Sequence, residues 1–280
     1  MVYSTIKSEQ TFYQGHSVKI SSIAKHPTLS IVATGEVSTL SPAIHVWDTT
    51  TMETLVILKS SHRGGILHLT FSSDGSLLLS IGMDKTFSMQ VYQWQQSRTL
   101  AFKNTGYNPV FGVRFNPYDK SQIVTCGYEH IALWKLKGTH ITCKTALKYR
   151  SPQQVVSQDS TKEGVSSSGS KIPVIMCIDF ISFQLGSSIQ SDILFGTSLG
   201  EITTYCSGKH FILHESAHDG AINCIRVTNQ ITPKDVVNIF TGGEDGFIKV
   251  WDAACRIIQT IDMRKSQVLA DLINKKAFGV

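Results

Sequence analysis

An aromatic residue recurs at the end of similar apolar segments along this 280-residue chain. The segments IHVWD, MQVYQ, IALWK, ITTYC and IKVWD place the aromatics at Trp47, Tyr92, Trp134, Tyr205 and Trp251, with spacings of 45, 42, 71 and 46 residues. Such self-similarity indicates an array of repeated supersecondary units. The long interval contains residues 151–171, a polar, Ser-rich stretch that we interpret as a flexible insertion in a repeat of ordinary length.

The segments between the turn signals have the composition of β-strands. Runs such as LHLTF, LLLSIG and FIKVW are rich in Val, Ile, Thr and aromatic residues, and clusters such as HPTLS and SSDGS separate them. No long stretch shows a helical period of 3.6 residues. The sequence therefore predicts an all-β fold.

Three repeats also begin alike, since Gly15-His16, His62 and His218 precede their aromatics by about 30 residues. In the third repeat Gly106-Tyr107 takes this place, and the fourth has no clear counterpart. This pattern resembles WD repeats, the four-stranded blades of a β-propeller. We predict about five blades, at approximately 12–60, 61–103, 104–145, 172–213 and 214–263, with a flexible insertion at 150–171. Residues 264–280 would begin a truncated further blade or form a tail.

Three stretches narrow the resemblance: FYQGHSVKISSIAKHPTLSIVATGEV, LHLTFSSDGSLLLSIGMDK and GVRFNPYDKSQIVTCGYEHIALWKLKG. They resemble the first propeller of the echinoderm microtubule-associated protein-like family. The match is dense over residues 12–138 and weaker over 173–262. That propeller has more than five blades and a second propeller follows it, so we expect an incomplete propeller or fragment, or a ring closed in an unusual way.

The resemblance implies a hydrogen-bonded tetrad that ties one blade together, made of His218, Thr241, Asp245 and Trp251. A catalytic role for the same residues is the alternative, but it needs an open nucleophile and an oxyanion site. Other repeats carry partial versions: the first has His16, Thr34 and Trp47 without an acid in the turn, and the second has His62, Ser80, Asp84 and Tyr92. The third has Thr125 and Trp134 with Glu129 or His130, and the fourth has Phe195 and Tyr205. Partial versions of one residue set in several repeats favour a structural role, because a catalytic site would usually occur once. We therefore predict no catalytic residues and no enzyme.

Metal, cofactor and redox sites are not predicted. HFILHESAH carries His210, His214 and His218 four residues apart, but we interpret it as a strand entering a loop, where such positions stand too far apart to share an ion. GVSSSGSK lacks the spacing of a phosphate-binding loop. No cysteines are spaced C-x-x-C, and those within predicted strands (Cys126, Cys177, Cys206 and Cys224) are interpreted as small core residues.

The net charge of +5 is spread over scattered Lys and Arg residues, which argues against a nucleic-acid binder. No 18-residue apolar window predicts a membrane span, and no small-molecule substrate is indicated. We therefore expect a non-enzymatic protein-interaction scaffold, and the family resemblance implies tubulin or microtubules as its partner. Aromatic and charged residues in loops at one rim are candidate contacts: Arg63, Lys85, Tyr107, Tyr128 and Asp219.

Two alternatives remain open at this stage. One is a general WD-repeat adaptor, such as a ubiquitin-ligase substrate receptor or a ciliary assembly platform. The other is an enzyme that uses the propeller funnel, although the sequence shows no cluster of carboxylates or histidines for it. The leading interpretation implies a cytoplasmic protein at the cytoskeleton, with a cilium or spindle as its setting.

Overall fold

A computed structural model describes residues 2–4, 9–38, 41–106, 109–128, 130–148, 174–185, 188–206, 209–228 and 237–265. The predicted insertion at 150–171, the candidate contact Tyr107 and Glu129 lie outside these residues. The chain divides into two compact units. The first comprises Met1–Thr125 with Ala132–Ala146, and the second comprises Cys126–Ile131 with Leu147–Val280.

The described residues confirm the all-β prediction, with five four-stranded antiparallel sheets. In each sheet four consecutive strands pair in chain order, which is the up-and-down order expected of propeller blades. The only helical element among the described residues is the short 3-10 turn Trp94–Gln96. No helix in the described part of the chain is long and apolar enough to cross a membrane.

The first two sheets belong to the first unit, after a short hairpin of β1 (Val2–Ser4) and β2 (Glu9–Thr11). The first sheet contains β3 (Ile20–Lys25), β4 (Ile31–Glu36), β5 (Ala43–Asp48) and β6 (Thr54–Lys59). The second contains β7 (Ile66–Phe71), β8 (Leu78–Gly82), β9 (Met89–Gln93) and β10 (Arg98–Lys103).

The third sheet contains β11 (Val110–Phe115), β12 (Gln122–Gly127), β13 (His130–Lys137) and β14 (His140–Lys148). The fourth contains β15 (Ile175–Leu185), β16 (Ser188–Thr197), β17 (Ile202–Cys206) and β18 (Lys209–His214). The fifth contains β19 (Ile222–Val227), β20 (Asn238–Gly243), β21 (Phe247–Asp252) and β22 (Ile257–Asp262). The fourth and fifth sheets belong to the second unit.

Burial differs between the second and the fourth strand of a sheet. Every residue of β4 and β8 is buried. For β8 the reason is that the first and the third sheet pack on its two faces. The fourth strand β22 is instead largely exposed. This gradient explains why LLLSIG is a continuous apolar run rather than an alternating one.

Within each unit, the first strands of successive sheets contact each other. In the first unit Ser21 donates its hydroxyl to the carbonyl of Ile66 at 2.6 Å, which joins β3 to β7. In the second unit the Cys177 thiol lies 3.2 Å from the carbonyl oxygen of Ile222, which joins β15 to β19. Sheet packing therefore uses side-chain hydrogen bonds as well as apolar burial.

The prediction that the strand cysteines are core residues was wrong for Cys224, which is exposed. The pairing of β19 with β20 shifts between Ile222 and Cys224, and this β-bulge changes which residues face inward. Ile222 and Ile225 are buried as a result. Cys126 is buried, whereas Cys177 and Cys206 are half-buried.

Candidate functional site

The fifth sheet brings His218, Thr241, Asp245 and Trp251 into one hydrogen-bonded cluster. Nε2 of His218 lies 2.7 Å from Oγ1 of Thr241, and the Trp251 indole N–H donates to the same oxygen at 2.8 Å. Nδ1 of His218 lies 2.9 Å from Oδ1 of Asp245. Because Trp251, Thr241 and His218 are buried, each polar atom in the cluster depends on the others for a partner.

The Asp245 carboxylate also joins two loops at this edge of the sheet. It accepts the backbone N–H groups of Asp219 and Phe247, both at 3.1 Å. Burial raises the pKa of Asp245, but the hydrogen bonds from His218 and these N–H groups outweigh burial, and its pKa is lowered. The carboxylate therefore stays ionised near neutral pH.

A glycine makes room for the histidine in this cluster. A Cβ atom added at Gly243 would overlap Nδ1 of His218 and would lie 2.6 Å from Oδ1 of Asp245. In the second sheet a Cβ added at Gly82 would lie 2.5 Å from Nδ1 of His62. Each glycine follows the cluster's hydroxyl residue by two positions in the sequence.

The second sheet holds a related cluster with one residue that the sequence did not reveal. Nε2 of His62 lies 2.6 Å from Oγ of Ser80, which lies 3.4 Å from the Tyr92 hydroxyl. Nδ1 of His62 lies 2.7 Å from Oγ of Ser88, and Ser88 donates in turn to Asp84. Burial lowers the pKa of His62 to about 4 despite the attraction of Asp84. This histidine is therefore neutral at physiological pH.

In the first sheet the carboxylate comes from an unexpected position. Nε2 of His16 lies 2.6 Å from Oγ1 of Thr34, and Trp47 donates its indole N–H to that oxygen at 3.0 Å. Nδ1 of His16 lies 2.8 Å from Oε1 of Glu36. The sequence indicated no acid in the turn of this repeat, but Glu36, at the end of β4, takes that role. It stands two residues after Thr34, where the other two sheets carry glycine.

A second histidine enters the first cluster from the neighbouring strand. His45 on β5 pairs with Thr34, and its ring centroid lies 3.9 Å from that of His16. Nε2 of His45 lies 3.6 Å from Oε1 of Glu36. Burial and the nearby His16 lower the pKa of His45, against the attraction of Glu36. Two imidazoles and one carboxylate thus share a nearly enclosed space.

The corresponding positions in the other two sheets carry no imidazole. Gln90 pairs with Ser80 and accepts the backbone N–H of Ser61 at 3.0 Å. Lys249 pairs with Thr241 and donates to the carbonyl of Ala217 at 2.5 Å. Each of these side chains therefore forms a hydrogen bond with the backbone of the residue that precedes the cluster histidine. His45 departs from this arrangement.

The remaining two sheets carry reduced versions of the cluster. In the third, Trp134 donates to Thr125 at 3.0 Å, and Nδ1 of His130 lies 3.3 Å from the carbonyl oxygen of Tyr128. In the fourth, the fully buried Phe195 stands where the other sheets have a hydroxyl. The HFILHESAH stretch forms strand β18 and then a loop, as the sequence predicted.

The clusters are poorly arranged for nucleophilic chemistry. A nucleophile needs an open position beside its oxygen for the substrate. Thr241 is instead 1% exposed, and its hydroxyl oxygen is contacted by both His218 and Trp251. The geometry is that of a buried polar network, which specifies one arrangement of the strands.

Four of the five candidate partner contacts lie in described loops. Arg63 and Lys85 are exposed, and their loops adjoin because the Met83 N–H donates to the Gly65 carbonyl at 2.9 Å. In the second unit Tyr128 is 45% exposed and Asp219 is exposed.

Comparison with known proteins identifies the family. The family model for the echinoderm microtubule-associated protein first β-propeller matches residues 9–277. The chain belongs to this family. Its relatives include echinoderm microtubule-associated protein-like 2 from Mus musculus, 23% identical over 94% of this chain. Another is echinoderm microtubule-associated protein-like 1 from Rattus norvegicus, 25% identical over 90% of this chain.

This member of the first-propeller family spans 38% and 29% of the length of those two relatives. Among solved structures, the β-propeller domain of Cps50 (Swd1) from Myceliophteria thermophila is similar, with a TM-score of 0.64 and 15% sequence identity. That similarity covers 88% of this chain and 73% of the other. It supports the WD-repeat propeller fold, and the sheets can accordingly be called blades.

Proposed function

We propose that this chain is a non-enzymatic binding module of the cytoskeleton that binds tubulin or microtubules. The observation that carries the proposal is the family match over residues 9–277, because the matched proteins are named for microtubule association. The net charge of +5 suits an acidic protein surface such as that of tubulin. The buried His-centred clusters act in this proposal as structural ties within blades.

The proposed contact surface is the edge of the second blade where its first strand begins and its second strand ends. Arg63 and Lys85 lie at this edge, and both are exposed. Cations left exposed in this way can pair with carboxylates of a partner at little desolvation cost. Tyr128 and Asp219 are the further candidates, and Tyr107 stays a prediction from the sequence.

The test is co-sedimentation of the purified chain with taxol-stabilised microtubules, together with gel filtration in the presence of tubulin dimers. We expect binding that weakens as salt is raised, because exposed charges are screened. The double variant Arg63→Glu with Lys85→Glu should bind at least about tenfold more weakly, since it replaces two attractions with two repulsions.

The matched control reverses two exposed cations at the opposite ends of the strands, by Lys25→Glu with Arg98→Glu. It makes the same change in net charge, so a specific surface predicts that this variant binds nearly as the wild type does. Equal losses in both variants would indicate non-specific attraction. Binding to neither polymer nor dimer by the folded chain would remove the proposal and favour a general WD-repeat adaptor.

A further inference from the structure

The cluster of His16, Glu36 and His45 in the first blade contains one more imidazole than a structural tie within a blade requires. One imidazole and one carboxylate suffice in the fifth blade, but here a second imidazole faces the same carboxylate. One ligand-type atom from each residue lies within 4.8 Å of the other two. The side chains are only 4%, 11% and 7% exposed, so water competes weakly for them.

The outer nitrogen of each imidazole is held by a hydroxyl, which leaves the inner nitrogen directed at Glu36. Nε2 of His16 faces Thr34, and Nδ1 of His45 lies 2.9 Å from the Tyr13 hydroxyl. Tyr13 lies 2.6 Å from Oγ1 of Thr54, which can accept its proton. Imidazoles that bind metals are oriented in this way by a second hydrogen bond.

The proton positions are compatible with two free inner nitrogens. If His16 carries its proton on Nε2, it donates to Thr34, which can in turn donate to the His45 carbonyl at 3.4 Å. If His45 carries its proton on Nδ1, it donates to Tyr13. The second carboxylate oxygen of Glu36 is held by the backbone N–H of Ala43 at 3.1 Å. Oε1 is therefore the oxygen left for a ligand.

We propose that His16, Glu36 and His45 form a binding site for a divalent transition metal ion of the zinc class. Two imidazole nitrogens and one carboxylate oxygen are a known zinc ligand set, with water in the fourth tetrahedral position. Metal–nitrogen and metal–oxygen bonds near 2.0–2.2 Å place two tetrahedral ligand atoms about 3.4 Å apart. The two nitrogen–oxygen separations of 2.8 and 3.6 Å lie on either side of that value. The nitrogen ligands select against Mg²⁺ and Ca²⁺, which prefer oxygen.

The experiment is titration of the full chain with ZnCl₂ by calorimetry, and with CoCl₂ by visible absorption. We expect one tight Zn²⁺ per chain that excess Mg²⁺ does not displace. His45→Gln, which installs the residue type of the second blade at the paired position, and Glu36→Gln should each abolish this site. Tyr13→Phe removes only the orienting hydroxyl and should weaken affinity about tenfold.

His140→Asn, at an exposed histidine on β14, is the matched control and should bind Zn²⁺ as the wild type does. Circular dichroism of each variant establishes that it is folded. The proposal is overturned if folded wild-type protein binds no Zn²⁺, or if folded His45→Gln and Glu36→Gln retain wild-type affinity. A thiolate-to-cobalt charge-transfer band would assign the bound ion to cysteines and would also overturn it.

Discussion

Oε1 of Glu36 lies 2.8 Å from Nδ1 of His16, and Glu36 stands at the end of strand β4 rather than in the turn that follows it. In the fifth blade the corresponding carboxylate belongs to Asp245, four residues after the cluster hydroxyl. In the first blade the histidine thus still contacts a carboxylate, but the residue that supplies it stands two positions nearer to the cluster hydroxyl. Because Glu36 stands where the second and fifth blades carry glycine, its side chain fills the space left open there. Its carboxylate therefore lies beside His45.

Removing the Thr241 hydroxyl is expected to destabilise the second unit. Thr241→Val leaves the Trp251 N–H and Nε2 of His218 buried without their shared partner, at a cost of about 3 kcal/mol in the free energy of unfolding. Urea denaturation followed by tryptophan fluorescence measures this loss. Thr260→Val, at an exposed site on β22, should leave the unfolding midpoint nearly unchanged. Equal midpoints for the two variants would show that the buried network adds no stability.

Substitution of Gly243 tests whether the histidine needs the space beside it. A methyl group there would overlap His218 and Asp245, so Gly243→Ala should cost about 2–3 kcal/mol of unfolding free energy. Gly106→Ala is the comparison, because Gly106 has a φ of +75° but no atom within 4 Å of an added Cβ. Its cost should be only about 1 kcal/mol, from backbone strain alone. A larger loss for Gly106→Ala would contradict the steric explanation.

Acidification should destabilise the first unit through His62. Its pKa is about 4 in the folded chain and near 6.5 when unfolded, so between these values the unfolded state binds more protons. Stability is therefore retained above pH 6.5 and falls as the pH drops toward 4, by on the order of 3 kcal/mol for this group. Unfolding midpoints measured between pH 7.5 and 4.5 give the slope.

The contribution of His62 to that slope can be separated from the rest. His62→Gln cannot be protonated, so its stability should depend less on pH in this window than that of the wild type. His140→Asn removes an exposed histidine and should leave the slope unchanged. Parallel pH profiles for wild type and His62→Gln would rule out this histidine as the source.

The repeat pattern was sufficient to predict the fold class. Aromatics at regular spacing and short β-rich runs predicted four-stranded repeats, and five antiparallel sheets confirm this. The prediction was possible because each blade is a local unit whose strands pair in chain order. The burial of Cys224 was mispredicted, since a β-bulge shifts strand alternation without a clear mark in the sequence.

By itself the sequence predicted the repeat architecture and the family, because the aromatic and histidine positions recur at regular spacing. The tetrad of the fifth blade came from the family resemblance, since that blade keeps every motif position. Only the tertiary structure decided that Glu36 substitutes for a turn acid and that His45 faces it. Those contacts depend on strand register, which places Thr34 opposite His45, and on the space within the blade. Register and packing arise from pairing between distant residues, and no short motif in the chain encodes them.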